Sequence, residues 1–131
     1  MPQSSFDDFS GNFKKNSATT LQKFSLLMML GDAKRAKELA DNLHINEKNY
    51  NNLQLWLDEL GSFSCFDLNF ADFGPTLIFH GRGDMVVNYR QAEIFAQKIK
   101  NSQCHIISDC GHCPHISNWQ FIYDKIITQN D

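Results

Sequence analysis

The sequence lacks long apolar runs, an export signal and any excess of basic residues. No stretch approaches the roughly 18 consecutive apolar residues that a membrane span requires, so we expect no membrane association. Residues 1–10 lack the basic start and the apolar stretch of a signal peptide. The formal net charge is −3, and without a basic stripe to meet phosphates the sequence argues against nucleic-acid binding.

The four cysteines do not indicate a disulfide framework, because nothing in the sequence directs the chain to an oxidising compartment. We therefore expect reduced thiols and a cytoplasmic location. The rest of the composition, with 131 residues of which 42% are hydrophobic and 21% charged, is that of one ordinary globular domain. Eleven phenylalanines indicate either a deep core or an apolar pocket.

The first sixty residues carry apolar side chains at helical spacing. A second helix is predicted to begin at Asp32, and a third to begin at Asn46 and to end at Gly61. The first helix ends before Gly31, a residue typical of helix C-termini, and buries one stripe of apolar side chains: Leu21, Phe24, Leu27 and Met28. We therefore expect a compact three-helix segment, which together with a linker accounts for residues 1–73.

Residues 74–131 have the pattern of an α/β unit. Gly74-Pro75 precedes a short apolar run, 76–80, of the kind expected of a strand covered on both faces. A helix over 90–100, a second strand over 104–107 and a last helix capped by Ser117 follow. This order is typical of a parallel sheet. Because two parallel strands are too few for a stable sheet, the sequence implies further strands from outside these 131 residues.

One acidic residue and one histidine directly follow the two predicted strands. Asp84 lies in the glycine-rich turn after the first strand, and His112 lies in the loop after the second. Because the carboxyl ends of parallel strands meet at one edge of a sheet, we expect these side chains to lie within hydrogen-bond distance. A carboxylate there accepts the Nδ1 proton of the imidazole and leaves Nε2 free to act as a base. The alternative is a turn-forming aspartate and an unrelated surface histidine.

A nucleophile that would complete this pair is missing from the sequence. The serine of such a triad lies in Gly-x-Ser-x-Gly, between a strand and a helix and ahead of the acid. No Gly-x-Ser occurs here, and Gly61-Ser62-Phe63-Ser64-Cys65 has the wrong spacing. We therefore expect the serine, and most of the oxyanion hole, to come from a segment that precedes residue 1.

The cysteines around His112 allow two other interpretations. Cys110-Gly111-His112-Cys113 has the spelling of a thiol–disulfide motif, although thioredoxin-type domains have that motif early in the chain, before several further strands. A zinc site has enough candidate ligands, but no separated second pair supports it: Cys104, Cys110, His112, Cys113 and His115. Both interpretations are disfavoured, and we expect no metal.

Two segments resemble the tail of α/β-hydrolase esterases. Residues 75–87 match the family pattern of a strand followed by Gly-x-x-Asp and Val, and residues 110–117 match Gly-His-x-Pro. Within that family the pimeloyl-[acyl-carrier protein] methyl ester esterases of biotin synthesis are similar over two further stretches, 21–31 and 57–73. The resemblance covers nearly all of this sequence but only about the second half of a family member.

The resemblance implies the C-terminal part of an α/β-hydrolase fold, a helical lid followed by the last two parallel strands and their helices. It implies Asp84 as the triad acid, His112 as the general base and no cofactor. Residues 24–28 would line the acyl channel, although the family often has glutamine at the position of Met28: Phe24, Ser25, Leu26, Leu27 and Met28. Ordinary lid core is the alternative.

The implied substrate is an acyl ester, and the implied carrier of its acyl chain is acyl carrier protein. Four basic residues could contact that acidic carrier, although a solvated helix face is the preferred explanation of the same residues: Lys23, Lys34, Arg35 and Lys37. The implied partner is an N-terminal hydrolase fragment that supplies the serine, without which we expect the 131 residues to be inactive. The alternative function is a non-catalytic remnant, or a module that binds an acyl chain or a partner.

Overall fold

The structure is a computed structural model that describes residues 2–32, 49–64, 68–70 and 73–128. Helices come first, followed by alternating strands and helices, in the predicted order. The elements are α1 (Gln3–Lys15), α2 (Ser17–Met29), α3 (Tyr50–Ser62), β1 (Thr76–Gly81), α4 (Arg90–Ala96), β2 (Ser102–Ile107), α5 (Pro114–Ser117) and α6 (Trp119–Ile127).

The helical part begins with a helix that the sequence pattern did not single out. Helix α1 is rich in Ser, Asp, Asn and Gly, which are weak helix formers, and it is held by packing against α2 and α3. Phe13, only 1% exposed, is its buried anchor and meets Tyr50 of α3 edge-on, with 6.1 Å between ring centroids. Local propensity therefore gives little signal for a helix that tertiary contacts stabilise.

The next two helices are α2 and α3, and a side-chain cap marks the start of α2. Asn16 begins α2, where its Oδ1 accepts a hydrogen bond from the Thr19 N–H at 3.0 Å. Helix α2 ends at Met29, just before Gly31, which has φ +87° as the predicted stop requires. Helix α3 is described from Tyr50 to Ser62, one residue beyond the predicted end at Gly61, and its predicted start at Asn46 lies outside the described residues. The helix predicted from Asp32 lies outside the described residues.

The two strands form the predicted parallel pair. Their register runs from Thr76 opposite Ser102 to Gly81 opposite Ile107, so both strands end at the same edge of the sheet. Among the described residues the sheet contains these two strands alone. Residues 76–80 are all partly exposed, as expected of strands whose cover is incomplete.

The prediction that Ser117 caps the last helix is wrong. Pro114 starts the short helix α5, and the Ser117 hydroxyl donates back to the Cys113 carbonyl at 3.2 Å. Helix α6 then begins after Asn118. None of the helices in the described ranges is both long and apolar enough to cross a membrane.

Candidate active site

The turn after β1 holds Asp84 at the edge of the sheet. Backbone bonds tie this turn to the far side of the site: the Arg82 N–H donates to Ile107 O and the Gly83 N–H to Cys110 O, both at 2.9 Å. The acid turn is therefore fixed to the end of β2 and to the loop that carries His112. These backbone bonds explain why Asp84 and His112, which are 28 positions apart in sequence, come together.

The Asp84 carboxylate is buried and fully hydrogen-bonded. Its Oδ1 accepts from the backbone N–H groups of Val86 at 2.7 Å and Val87 at 2.9 Å, and its Oδ2 lies 2.9 Å from Nδ1 of His112. Burial works to raise the pKa of Asp84, but the hydrogen bonds from His112, Val87 and Val86 outweigh it and hold this pKa below its ordinary value. Asp84 is therefore an anion that can orient an imidazole.

His112 has the orientation that a general base needs. Its Nδ1–H donates a hydrogen bond to Oδ2 of Asp84, and this leaves the lone pair of Nε2 to accept a proton. The side chain is 29% exposed, so a reactant can reach it. The predicted proximity of Asp84 and His112 is confirmed, whereas their roles in catalysis stay a prediction.

Three glycines allow α2, the acid turn and the His112 loop to touch backbone to backbone. A Cβ on Gly31 would lie 2.2 Å from the Gly83 carbonyl oxygen, and one on Gly111 would lie 2.8 Å from the Leu30 carbonyl oxygen. The His112 N–H also lies 3.4 Å from its acceptor, the Met28 carbonyl. The sequence indicated the glycine-rich turn after β1, but the contact between Gly31 and Gly83 could not be read from it.

Only some of the predicted acyl-channel residues on α2 line a cavity in the structure. Phe24 and Leu27 line a cavity of about 430 Å³ between α1 and α2, and Lys23 lies at the same cavity. Phe24 also meets the His112 ring edge-on, with 6.3 Å between centroids. Leu26, by contrast, is 58% exposed, and Ser25 donates its hydroxyl to the Leu21 carbonyl, so neither lines this cavity.

The structure adds α1 residues to this cavity and leaves three of the predicted basic residues undescribed. Phe9 packs on Phe24 with ring centroids 5.1 Å apart, and Lys15 lines the cavity beside Lys23. Helix α1 was not predicted, so these two residues were missed; the spacing of its phenylalanines was the available signal. The remaining candidates for carrier-protein contact lie outside the described residues: Lys34, Arg35 and Lys37.

The cysteines near His112 lack the properties of a redox pair. Cys110 and Cys113 are free and buried, 0% and 3% exposed. Burial, followed by the charge of Asp32 among other contacts, raises the pKa of the Cys113 thiol, and burial likewise raises that of Cys110. Cys113 also precedes a helix of only four residues. In the described ranges, no group of three or more His, Cys, Asp and Glu side chains is arranged to hold a metal ion.

We predict that both thiols react with iodoacetamide slowly in the native chain and completely after unfolding without a reductant. Burial excludes the reagent, and the raised pKa values keep both groups protonated. Mass spectrometry of the alkylated peptides measures this, with the less buried Cys104 as the internal control. A Cys110–Cys113 pair that is modified only after reduction would revive the redox interpretation.

Comparisons with known proteins point to one family. The sequence model described as alpha/beta hydrolase fold matches residues 5–118. The chain is 27% identical over 119 residues to a pimeloyl-[acyl-carrier protein] methyl ester esterase of Aromatoleum aromaticum, a match covering 84% of this chain. It is 26% identical over 126 residues to a bifunctional biotin-biosynthesis protein of Teredinibacter turnerae, a match covering 90% of this chain.

A solved esterase from Exiguobacterium antarcticum has the same fold, with a TM-score of 0.77 over 98% of this chain at 16% sequence identity. The 131 residues span only part of these proteins: 46% of the Aromatoleum esterase, 21% of the bifunctional protein and 48% of the solved esterase. The chain therefore spans less than half the length of the proteins it matches.

Proposed function

Because the chain belongs to the α/β-hydrolase family, we propose that it is the acid- and histidine-bearing half of a serine carboxylic-ester hydrolase. The single observation that carries this proposal is the 2.9 Å contact between Nδ1 of His112 and Oδ2 of a buried, ionised Asp84. In this division, residues 1–73 are the helical lid with its linker and residues 74–131 are part of the core. The nucleophile serine and most of the oxyanion hole come from outside the 131 residues.

The chemistry follows from the protons of the His112 ring. Asp84 accepts from Nδ1, so Nε2 takes the proton of the serine hydroxyl as the serine attacks the ester carbonyl. The resulting imidazolium is stabilised by the Asp84 anion. His112 then protonates the departing alcohol from Nε2, and a water activated by the same nitrogen releases the acid.

For the substrate we propose an acyl ester of the kind named in the relatives, a pimeloyl-[acyl-carrier protein] methyl ester. The cavity beside Phe24 supports an acyl chain, because Phe9, Phe24 and Leu27 line it and Phe24 lies against His112. Lys15 and Lys23 at the same cavity could contact an anionic carrier. Residues 24–28 would then include true channel residues, Phe24 and Leu27, and outer lid residues such as Leu26.

A second candidate is a module that binds an acyl chain or a partner without catalysis. The observation that favours it is the missing Gly-x-Ser motif. The two functions differ in what accompanies the chain. A Gly-x-Ser-x-Gly motif encoded upstream of residue 1, or in a separate chain that co-purifies with this one, supports the hydrolase; purification of these residues with no such segment supports the binding module.

We predict that Phe24→Ala raises the KM for a seven-carbon acyl ester about tenfold in the assembled enzyme, meaning these residues together with the nucleophile segment. Loss of an aromatic wall from an apolar channel costs roughly 1–3 kcal/mol of binding free energy. An acetyl ester, which is too short to reach the cavity beside Phe24, should be unaffected. Leu26→Ala is the matched control, since Leu26 is on the same helix but 58% exposed. Equal effects of both variants on both esters would contradict an acyl channel at Phe24.

A further inference from the structure

A second histidine lies on the same oxygen of Asp84. His80 is the fifth residue of β1, with its side chain 17% exposed, and its Nε2 is 3.4 Å from Oδ2 of Asp84. His112 reaches that same Oδ2 at 2.9 Å. The other oxygen, Oδ1, is occupied by the N–H groups of Val86 and Val87. Both rings therefore share Oδ2, because Oδ1 is already occupied.

The protons on His80 decide whether it competes for this oxygen. Its Nδ1 lies 3.0 Å from the Gly81 carbonyl, which can only accept a hydrogen bond, and its Nε2 faces an ionised carboxylate, which also only accepts. A neutral imidazole has one N–H, and the shorter contact places it on Nδ1, toward Gly81. Only the imidazolium carries a second proton, and that proton points at Oδ2 of Asp84.

We propose that His80 is a positioning residue of this site, acting through the shared oxygen of Asp84. When His80 is neutral, only His112 donates a hydrogen bond to Oδ2. When His80 is protonated, it draws on the same lone pairs and places a cation beside the carboxylate, which weakens the hold of Asp84 on His112. The importance of this effect for catalysis rests on the proposed function; the coupling of the two rings does not.

In the part of the chain that the structure describes, few other ionisable groups face His80. A cavity of about 280 Å³ lies beside it, and the titratable side chains that line it with His80 are Asp84, His112 and His115. On β2, His105 is stacked on Phe79, the neighbour of His80 whose side chain lies on the opposite face of the strand. On α4, the charged residue Glu93 lies near Cys104. Burial raises the pKa of that thiol, and the charge of Glu93 raises it further.

The test is histidine titration by NMR in the 131-residue chain labelled with ¹⁵N-histidine. Two imidazolium ions that share one anion repel and compete, so each is expected to make the other harder to protonate. His80→Leu should move the titration of the His112 ring signals to higher pH, because a competing cation is removed from Oδ2 of Asp84. His112→Leu should move the His80 signals by the same amount, because coupling is reciprocal.

Two further variants keep the test decisive. His80→Phe, which is uncharged, keeps an aromatic ring and has no hydrogen-bond donor, is expected to shift His112 as His80→Leu does, so that a packing defect in one variant cannot imitate the result. His115→Leu removes an exposed ring that lines the same cavity without an Asp84 contact, and should leave His112 unchanged. An unshifted His112 in both His80 variants, or a shift without its reciprocal, overturns the proposal. Neither outcome depends on esterase activity, so the hydrolase assignment is tested separately.

Discussion

Asp84→Asn is expected to lower kcat of the assembled enzyme by about 10⁴-fold, the loss typical of a triad whose acid becomes an amide, with little change in KM. The N–H groups of Val86 and Val87 require an acceptor at Oδ1, so the amide oxygen takes that position and the NH₂ group faces His112. Nδ1 of His112 must then accept, its proton moves to Nε2, and the ring loses the lone pair that receives the serine proton.

Asp109→Asn is the matched control for this prediction. Asp109 is exposed in the turn after β2 and has φ 53°, a conformation that asparagine adopts readily. The same change of charge on a neighbouring loop should therefore leave kcat within about twofold. Surface substitutions of this kind usually have little effect on stability, so the fold should also be kept. Steady-state hydrolysis of a chromogenic ester measures both variants. An Asp84→Asn enzyme that keeps a tenth of wild-type kcat would contradict the role assigned to Asp84.

Gly81→Ala is expected to destabilise the 131-residue chain by about 3 kcal/mol or more, a lowering of Tm by roughly 10 °C for a domain of this size. A Cβ at residue 81 would lie 2.1 Å from the Gly111 carbonyl oxygen and 2.3 Å from that of Cys110. Both obstacles are backbone atoms of the loop that carries His112, so relief of the clash must move that loop. Thermal unfolding followed by circular dichroism measures the change.

Gly11→Ala provides the opposite result from the same substitution. Gly11 is inside α1, and a Cβ there meets nothing within 4 Å. Alanine in a helix interior is favoured over glycine by about 0.5–1 kcal/mol, so Tm should rise by a few degrees. A Gly81→Ala variant whose Tm does not fall would contradict the close backbone contact between β1 and the His112 loop.

The parts of the fold that local patterns specify were predicted well. The apolar run at 76–80 and the glycine-rich turn after it predicted β1 and the position of Asp84, because strand and turn are encoded by adjacent residues. The parallel pairing then followed from element order, and with it the approach of Asp84 to His112. The predicted cap at Ser117 failed because Pro114 starts a separate short helix that ends at Ser117, so α6 begins only after Asn118.

The parts that depend on tertiary packing could not be predicted in the same way. Helix α1 has weak propensity and is held by contacts of Phe13 with residues far along the chain, such as Tyr50. The contact of Gly31 with Gly83 joins residues 52 positions apart in sequence, and no local sequence pattern predicts it. His80 was passed over as one residue of an apolar strand, because its role depends on which oxygen of Asp84 its ring meets.

The most direct test of the central claim, that this chain holds an acid and a base without their nucleophile, is the hydrolysis of p-nitrophenyl esters by the purified 131 residues. The account predicts no p-nitrophenol release above that of His112→Ala, because a base without a nucleophile cannot form an acyl-enzyme. Release appears once the segment carrying the serine is supplied. Robust turnover by the 131 residues alone, lost on His112→Ala, would contradict the account and direct attention to exposed Ser64 and buried Cys113.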